Sequence, residues 1–145
     1  MTTWFKTTLS LLAVFAAAGF TPVAAQTPSP AAAKVYFINL KDGDTVSSPF
    51  LVQFGLSGMG VAPAGVEKPN TGHHHLLIDA AALTEEQLKE PLPADDNHKH
   101  FGAGQTESMV TLPEGKHTFQ LVLGDWTHIP LAPPVMSETI TVTVH

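Results

Sequence analysis

His117-Thr118-Phe119-Gln120-Leu121-Val122-Leu123-Gly124 reads with a period of two. Phe119, Leu121 and Leu123 project to one side and Thr118, Gln120 and Val122 to the other, as in a strand with one buried face. The same alternation returns at the end of the chain, where Ile140, Val142 and Val144 interleave with Thr139, Thr141 and Thr143. Two such segments point to antiparallel sheet with a dry side and a wet side. Just upstream, Pro113-Glu114-Gly115 sets a fixed φ ahead of a permissive one, the order a tight connection between strands requires.

Working outward, residues 35–40, 50–56, 74–79, 107–112, 117–124 and 137–144 read as short β-rich runs separated by Gly, Pro, Asn and Asp. No window carries an apolar period of 3.6 over ten residues or more, so little helix is expected. One short helical turn or two is predicted over 84–88, with Thr84 as the cap and Glu85, Glu86 and Gln87 behind it. Leu112-Pro113-Glu114-Gly115-Lys116-His117 resembles the corner between the fifth and sixth strands of immunoglobulin-like domains, with His117 where those domains often place a Tyr. The expected fold is all-β, an immunoglobulin-like antiparallel β-sandwich of six to seven strands.

With 145 residues and 43% hydrophobic content, the chain can build one proper core but not two. Its first residues carry Lys6, an apolar run from Leu9 to Phe20, and then Thr21-Pro22-Val23-Ala24-Ala25. This is the three-part layout of a secretory signal peptide, with cleavage expected after Ala25. The run spans about a dozen residues where a membrane-crossing helix needs roughly 20, so removal is expected and no stable membrane anchor after it. Residues 26–33 read as a flexible leader and 34–145 as the domain. There are no cysteines, so an exported domain of this sequence is held by burial without disulfides. A net charge of −6 disfavours nucleic acid or an anionic membrane as partner and suits cations.

The eight histidines all lie beyond the signal segment, and their placement is the chemical signal. His73-His74-His75 begins a strand after Gly72, so His73 and His75 share a face with Cα atoms roughly 6.5 Å apart, close enough for two imidazoles to hold one metal ion. His74 points the other way. His98 and His100 repeat that spacing around Lys99. Two such pairs can supply four neutral nitrogens to Zn²⁺ or Cu²⁺. His128, beside Asp125 and Trp126 in a Pro-bounded loop, is a further candidate ligand. Asp79 and Glu107 are candidate carboxylates for fixing an imidazole tautomer behind the ligands. Met59 offers a soft thioether suited to Cu(I), while His117 and His145 read as structural and terminal.

Gly72-His73-His74-His75-Leu76-Leu77-Ile78-Asp79 and Asn97-His98-Lys99-His100-Phe101-Gly102-Ala103-Gly104-Gln105-Thr106-Glu107 resemble a bacterial exported family catalogued as domain of unknown function 4399. The likeness runs from about Val35 to Val144 and implies an exported, compact β domain without implying an activity. Relatives in that family tend to carry extra His in the segment 124–135, where this chain has Trp126 and Leu131 and keeps His128 alone. His98-Lys99-His100-Phe101-Gly102 also resembles the His-x-His pair that holds copper in copper-zinc superoxide dismutase, although the cysteines of that family are missing here.

Three functions follow as expectations. The first is a periplasmic copper or zinc binding protein acting as chaperone, buffer or accessory factor. The second is an envelope binding or assembly module that contacts a protein partner without metal. The third is a His-ligated metalloenzyme, either superoxide dismutase-like or a hydrolase with Glu107 or Asp79 as base. No Ser-His-Asp order or phosphate loop is evident, and Ser47, Ser48 and Ser57 read as turn and strand residues.

Overall fold

The computed structural model describes Met1 and residues 25–145. The expected signal helix lies outside the described residues. The strands are β1 (Lys34–Phe37), β2 (Thr45–Val46), β3 (Phe50–Ser57), β4 (Gly60–Val61), β5 (Thr71–Ile78), β6 (His98–His100), β7 (Glu107–Val110), β8 (Gly115–Gly124) and β9 (Ile140–Val144). They form a three-stranded sheet, β1-β3-β7, and a six-stranded sheet, β2-β9-β8-β5-β4, with β6 also paired to β5. This is an all-β sandwich, with β8 central in the larger sheet as the sixth strand is in immunoglobulin-like domains.

The period-two reading holds for the core. Phe119, Leu121 and Leu123 of β8 and Ile140, Val142 and Val144 of β9 meet Val35, Phe50, Val52 and Phe54 of the smaller sheet in one buried cluster. Each such side chain contributes about 1.5–3 kcal/mol by leaving water. The corner also forms: His117 Nε2 donates to the Pro113 carbonyl at 2.9 Å, tying the start of β8 back to the turn as a Tyr hydroxyl does in related folds.

Several elements differ from expectation. The helical turn is a 3₁₀ turn at Gln87–Lys89, because Glu90, which precedes Pro91, is extended and a residue before proline disfavours the helical region. Thr84 and Gln87 do cap one another, through Thr84 N to Gln87 Oε1 at 2.9 Å and Gln87 N to Thr84 Oγ1 at 3.2 Å. The last strand begins at Ile140 rather than 137. The segment ahead of it carries Pro130, Pro133 and Pro134 and runs beside β8 through isolated bridges, Val122 with Met136 and Gly124 with Pro130.

Residues 26–33, expected as a flexible leader, are docked instead. Ser29 N and Ala132 N exchange hydrogen bonds with Ala132 O and Thr27 O, and Gln26 Nε2 reaches Leu88 O and Pro130 O. Among the described residues no helix is long and apolar enough to cross a membrane.

The outer face of the larger sheet is not wet at β5. Leu77 and Val122 pack there under Leu92, with Leu83 and Met136 beside them. Residues 72–78 are therefore buried on both faces, which is why that stretch shows no hydrophobic alternation.

Candidate metal centre

Strand parity sorts the three consecutive histidines. His74 faces the sandwich interior, its ring 5.3 Å from that of Phe54, and His73 and His75 face outward. Antiparallel pairing sets His100 of β6 directly opposite His75. On the other side of β5, His73 is opposite Gly124. A Cβ at Gly124 would lie 2.8 Å from His75 Nε2, so the missing side chain is what gives that ring its place.

His128 arrives from the loop after β8. The Asp125 carboxylate accepts from Thr127 N (2.8 Å), Thr127 Oγ1 (2.7 Å) and Ile129 N (3.1 Å) through Oδ1, and from Thr27 Oγ1 (2.7 Å) through Oδ2. Burial alone would raise the pKa of this carboxyl, but the hydrogen bonds from Thr127 and Thr27 outweigh it and hold the pKa below the usual value. The backbone closes the loop with Asp125 N to Ile129 O at 2.8 Å and His128 N to Asp125 O at 3.0 Å. His128 itself is left-handed, φ 71°, a conformation uncommon outside glycine. The docked leader thus supplies one of the bonds that hold this loop.

One nitrogen from each of His73, His75, His100 and His128 lies within 4.8 Å of every other. His75 Nε2 is 3.0 Å from His73 Nε2, which is 3.2 Å from His128 Nδ1. The edge of a tetrahedron of nitrogens at ~2.0 Å from Zn²⁺ is about 3.3 Å, which these two distances approach, and the group of four is compact enough to hold one ion. The donor set is four imidazoles with no carboxylate. Burial pushes the pKa of His73 down to about 4 and that of His75 to about 2, with the neighbouring imidazoles adding to the effect. The pKa of His100 is lowered too, first by burial and then by His128. Neutral imidazole is the ligating form. The Nδ1 atoms of His73 and His75 have no hydrogen-bond partner, so packing, together with the Nε2 contacts inside the cluster, orients these two rings.

Four of the five histidines expected as ligands meet, and His98 does not. The register that places His100 opposite His75 places His98 opposite Leu77, one strand repeat away, where its Nδ1 binds Asp95 Oδ1 at 2.8 Å. Asp79 does not support His75. It has φ 52° at the end of β5, and it binds His117 Nδ1 (2.7 Å) and accepts from Thr118 N (2.8 Å). Glu107 sits in the other sheet and accepts from Gln53 Nε2 at 3.0 Å. Met59 packs against the core.

Gly124, Gly102 and the Asp125–Thr127–Thr27 bonds position the imidazoles without being ligands, roles that the histidine spacing does not reveal. A Cβ at Gly102 would collide with the His100 ring. Glycine directly after a His-x-His-Phe run was the available signal. For Asp125, the Asp-x-Thr spacing to Thr127 was a local turn signal, whereas the bond from Thr27 left none, since Thr27 and Asp125 are distant in the chain.

A family model described as "Domain of unknown function (DUF4399)" matches residues 52–145, which include all four converging histidines. No curated protein and no solved structure matches the chain.

Proposed function

The chain belongs to that family of unknown function, which assigns no chemistry, so from its own residues we propose that it is a periplasmic protein that binds a transition-metal ion, copper or zinc. The observation that carries this reading is the convergence of His73, His75, His100 and His128 from three separate stretches onto one point. Like groups that repel when protonated do not gather in this way without a compensating partner. Donors that are all imidazole favour borderline divalent ions such as Zn²⁺ and Cu²⁺ over Cu(I), which prefers sulfur. Export is supported by the signal-like layout of residues 1–25. A role as chaperone, buffer or accessory factor fits a site whose candidate bases are engaged, Asp79 with His117, Glu107 with Gln53 and the nearby Asp125 with Thr127 and Thr27.

The test is titration of Zn²⁺ and Cu²⁺ into the purified, untagged protein. One ion per chain is expected, and the combined His73→Ala, His75→Ala, His100→Ala variant should bind none at the same concentrations. Undiminished affinity in that variant overturns the proposal.

A further inference from the structure

The four nitrogens are not equivalent. His73 and His75 are 0% and 1% exposed in the middle of the sheet, and their nitrogens form a close chain with that of His128. The His128 backbone is locked by the Asp125 bonds. His100 alone of the four is exposed. It ends a three-residue strand that, among the described residues, pairs with β5 alone. Its ring meets those of His73, His75 and His128 at centroid distances of 5.0, 5.1 and 4.6 Å, and it rests over the bare backbone of Gly102.

A strap borders the same side. Ala64 N binds Gly102 O and Gly65 N binds Trp126 O, joining the backbone beside His100 to the backbone beside His128. At these points the strap carries Ala64, with a single methyl, and Gly65, with no side chain, so neither covers the exposed imidazole.

From this we infer that the site consists of three fixed ligands and one exchangeable one, with His100 the ligand through which the ion enters and leaves. The inference rests on the metal-binding reading and adds the direction of exchange to it. A buried ion must shed its ligands in some order, and the first to leave is the one that can turn into water without disturbing the sheet. His73 and His75 cannot turn out of a packed face, and His128 cannot move without breaking the loop.

The experiment is stopped-flow transfer of Zn²⁺ from the loaded protein to a chromogenic chelator, for wild type and for the His100→Ala, His73→Ala and Ala64→Leu variants. His100→Ala should still bind one ion but release it at least about tenfold faster, and added imidazole should slow that release by refilling the position. Ala64→Leu, which leaves every ligand in place, should slow release by covering the exit. His73→Ala should hold no ion at all. Release from His100→Ala at the wild-type rate, or equal behaviour of His100→Ala and His73→Ala, overturns the inference and leaves metal binding standing. Failure of the wild type to take up Zn²⁺ or Cu²⁺ overturns both.

Discussion

His74 and its two neighbours show how one residue type takes different roles by strand parity alone. Between the sheets, neither ring nitrogen of His74 makes a well-formed hydrogen bond, and burial lowers its pKa against a smaller opposing effect of the Gln105 backbone. An unsatisfied buried donor or acceptor costs about 1–3 kcal/mol. His74→Leu is therefore expected to raise stability by a similar amount, about 1–3 kcal/mol, in urea unfolding, and to leave Zn²⁺ affinity unchanged because the side chain faces away from the site. At Gly124 the expectation reverses. Gly124→Ala places a Cβ against His75 Nε2 and should weaken Zn²⁺ binding about 10- to 100-fold in a competition titration, although the substituted residue is no ligand.

At the scale of elements, the start of β8 is tied to the end of β5 by His117, which faces two acceptors. Nε2 donates to the Pro113 carbonyl, so a proton on Nδ1 toward Asp79 makes the ring an imidazolium. The Asp79 hydrogen bond is the main cause of the raised His117 pKa, from 6.5. Asp79 itself is lowered from 3.8, because the hydrogen bonds from His117 and Thr118 outweigh the opposing effect of burial.

A raised His pKa gives stability that is complete below pH 6.5 and lost as pH rises through the folded value. A lowered Asp pKa gives stability present above 3.8 and lost as pH falls through the folded value. The pair therefore contributes most between those limits. Asp79→Asn should cost on the order of 0.5 kcal/mol at pH 5.5, a small figure because the Asp79 side chain is 41% exposed and screened. The difference should shrink at pH 9, as read by urea unfolding at both values. In the loop after β8, Asp125→Ala strips the acceptor from Thr127 N and Ile129 N. It should cost about 1–3 kcal/mol and weaken metal binding by freeing His128.

For the molecule as a whole, the imidazole cluster is a liability in acid. His73 and His75 have pKa values of about 4 and about 2 in the fold, against 6.5 in the unfolded chain. The unfolded state therefore binds more protons once pH falls below 6.5, and stability drops from there toward pH 4. Thermal melts of the metal-free protein should show a lower Tm at pH 5 than at pH 7, and the combined His73→Gln, His75→Gln variant should show a smaller difference. An ion that binds only the folded state adds stability by mass action, about 2.7 kcal/mol at 100 times Kd, or roughly 10 °C in Tm. A chelator should reverse that gain.

Alternation in 117–124 and 140–144, together with the Pro113-Glu114-Gly115 turn, determined the sandwich and its core, because a side chain's face follows from parity along a strand. Parity also placed His73 and His75 together and His74 apart. Which of His98 and His100 would join them depended on the register of β6 against β5, and a shift of two residues would have exchanged them without altering the local pattern. That His128 joins them was decided by a loop folded around Asp125 and bound by Thr27 from the far end of the chain. Contacts between residues so distant in sequence leave no periodic trace, so only the tertiary structure could bring the fourth imidazole to the other three.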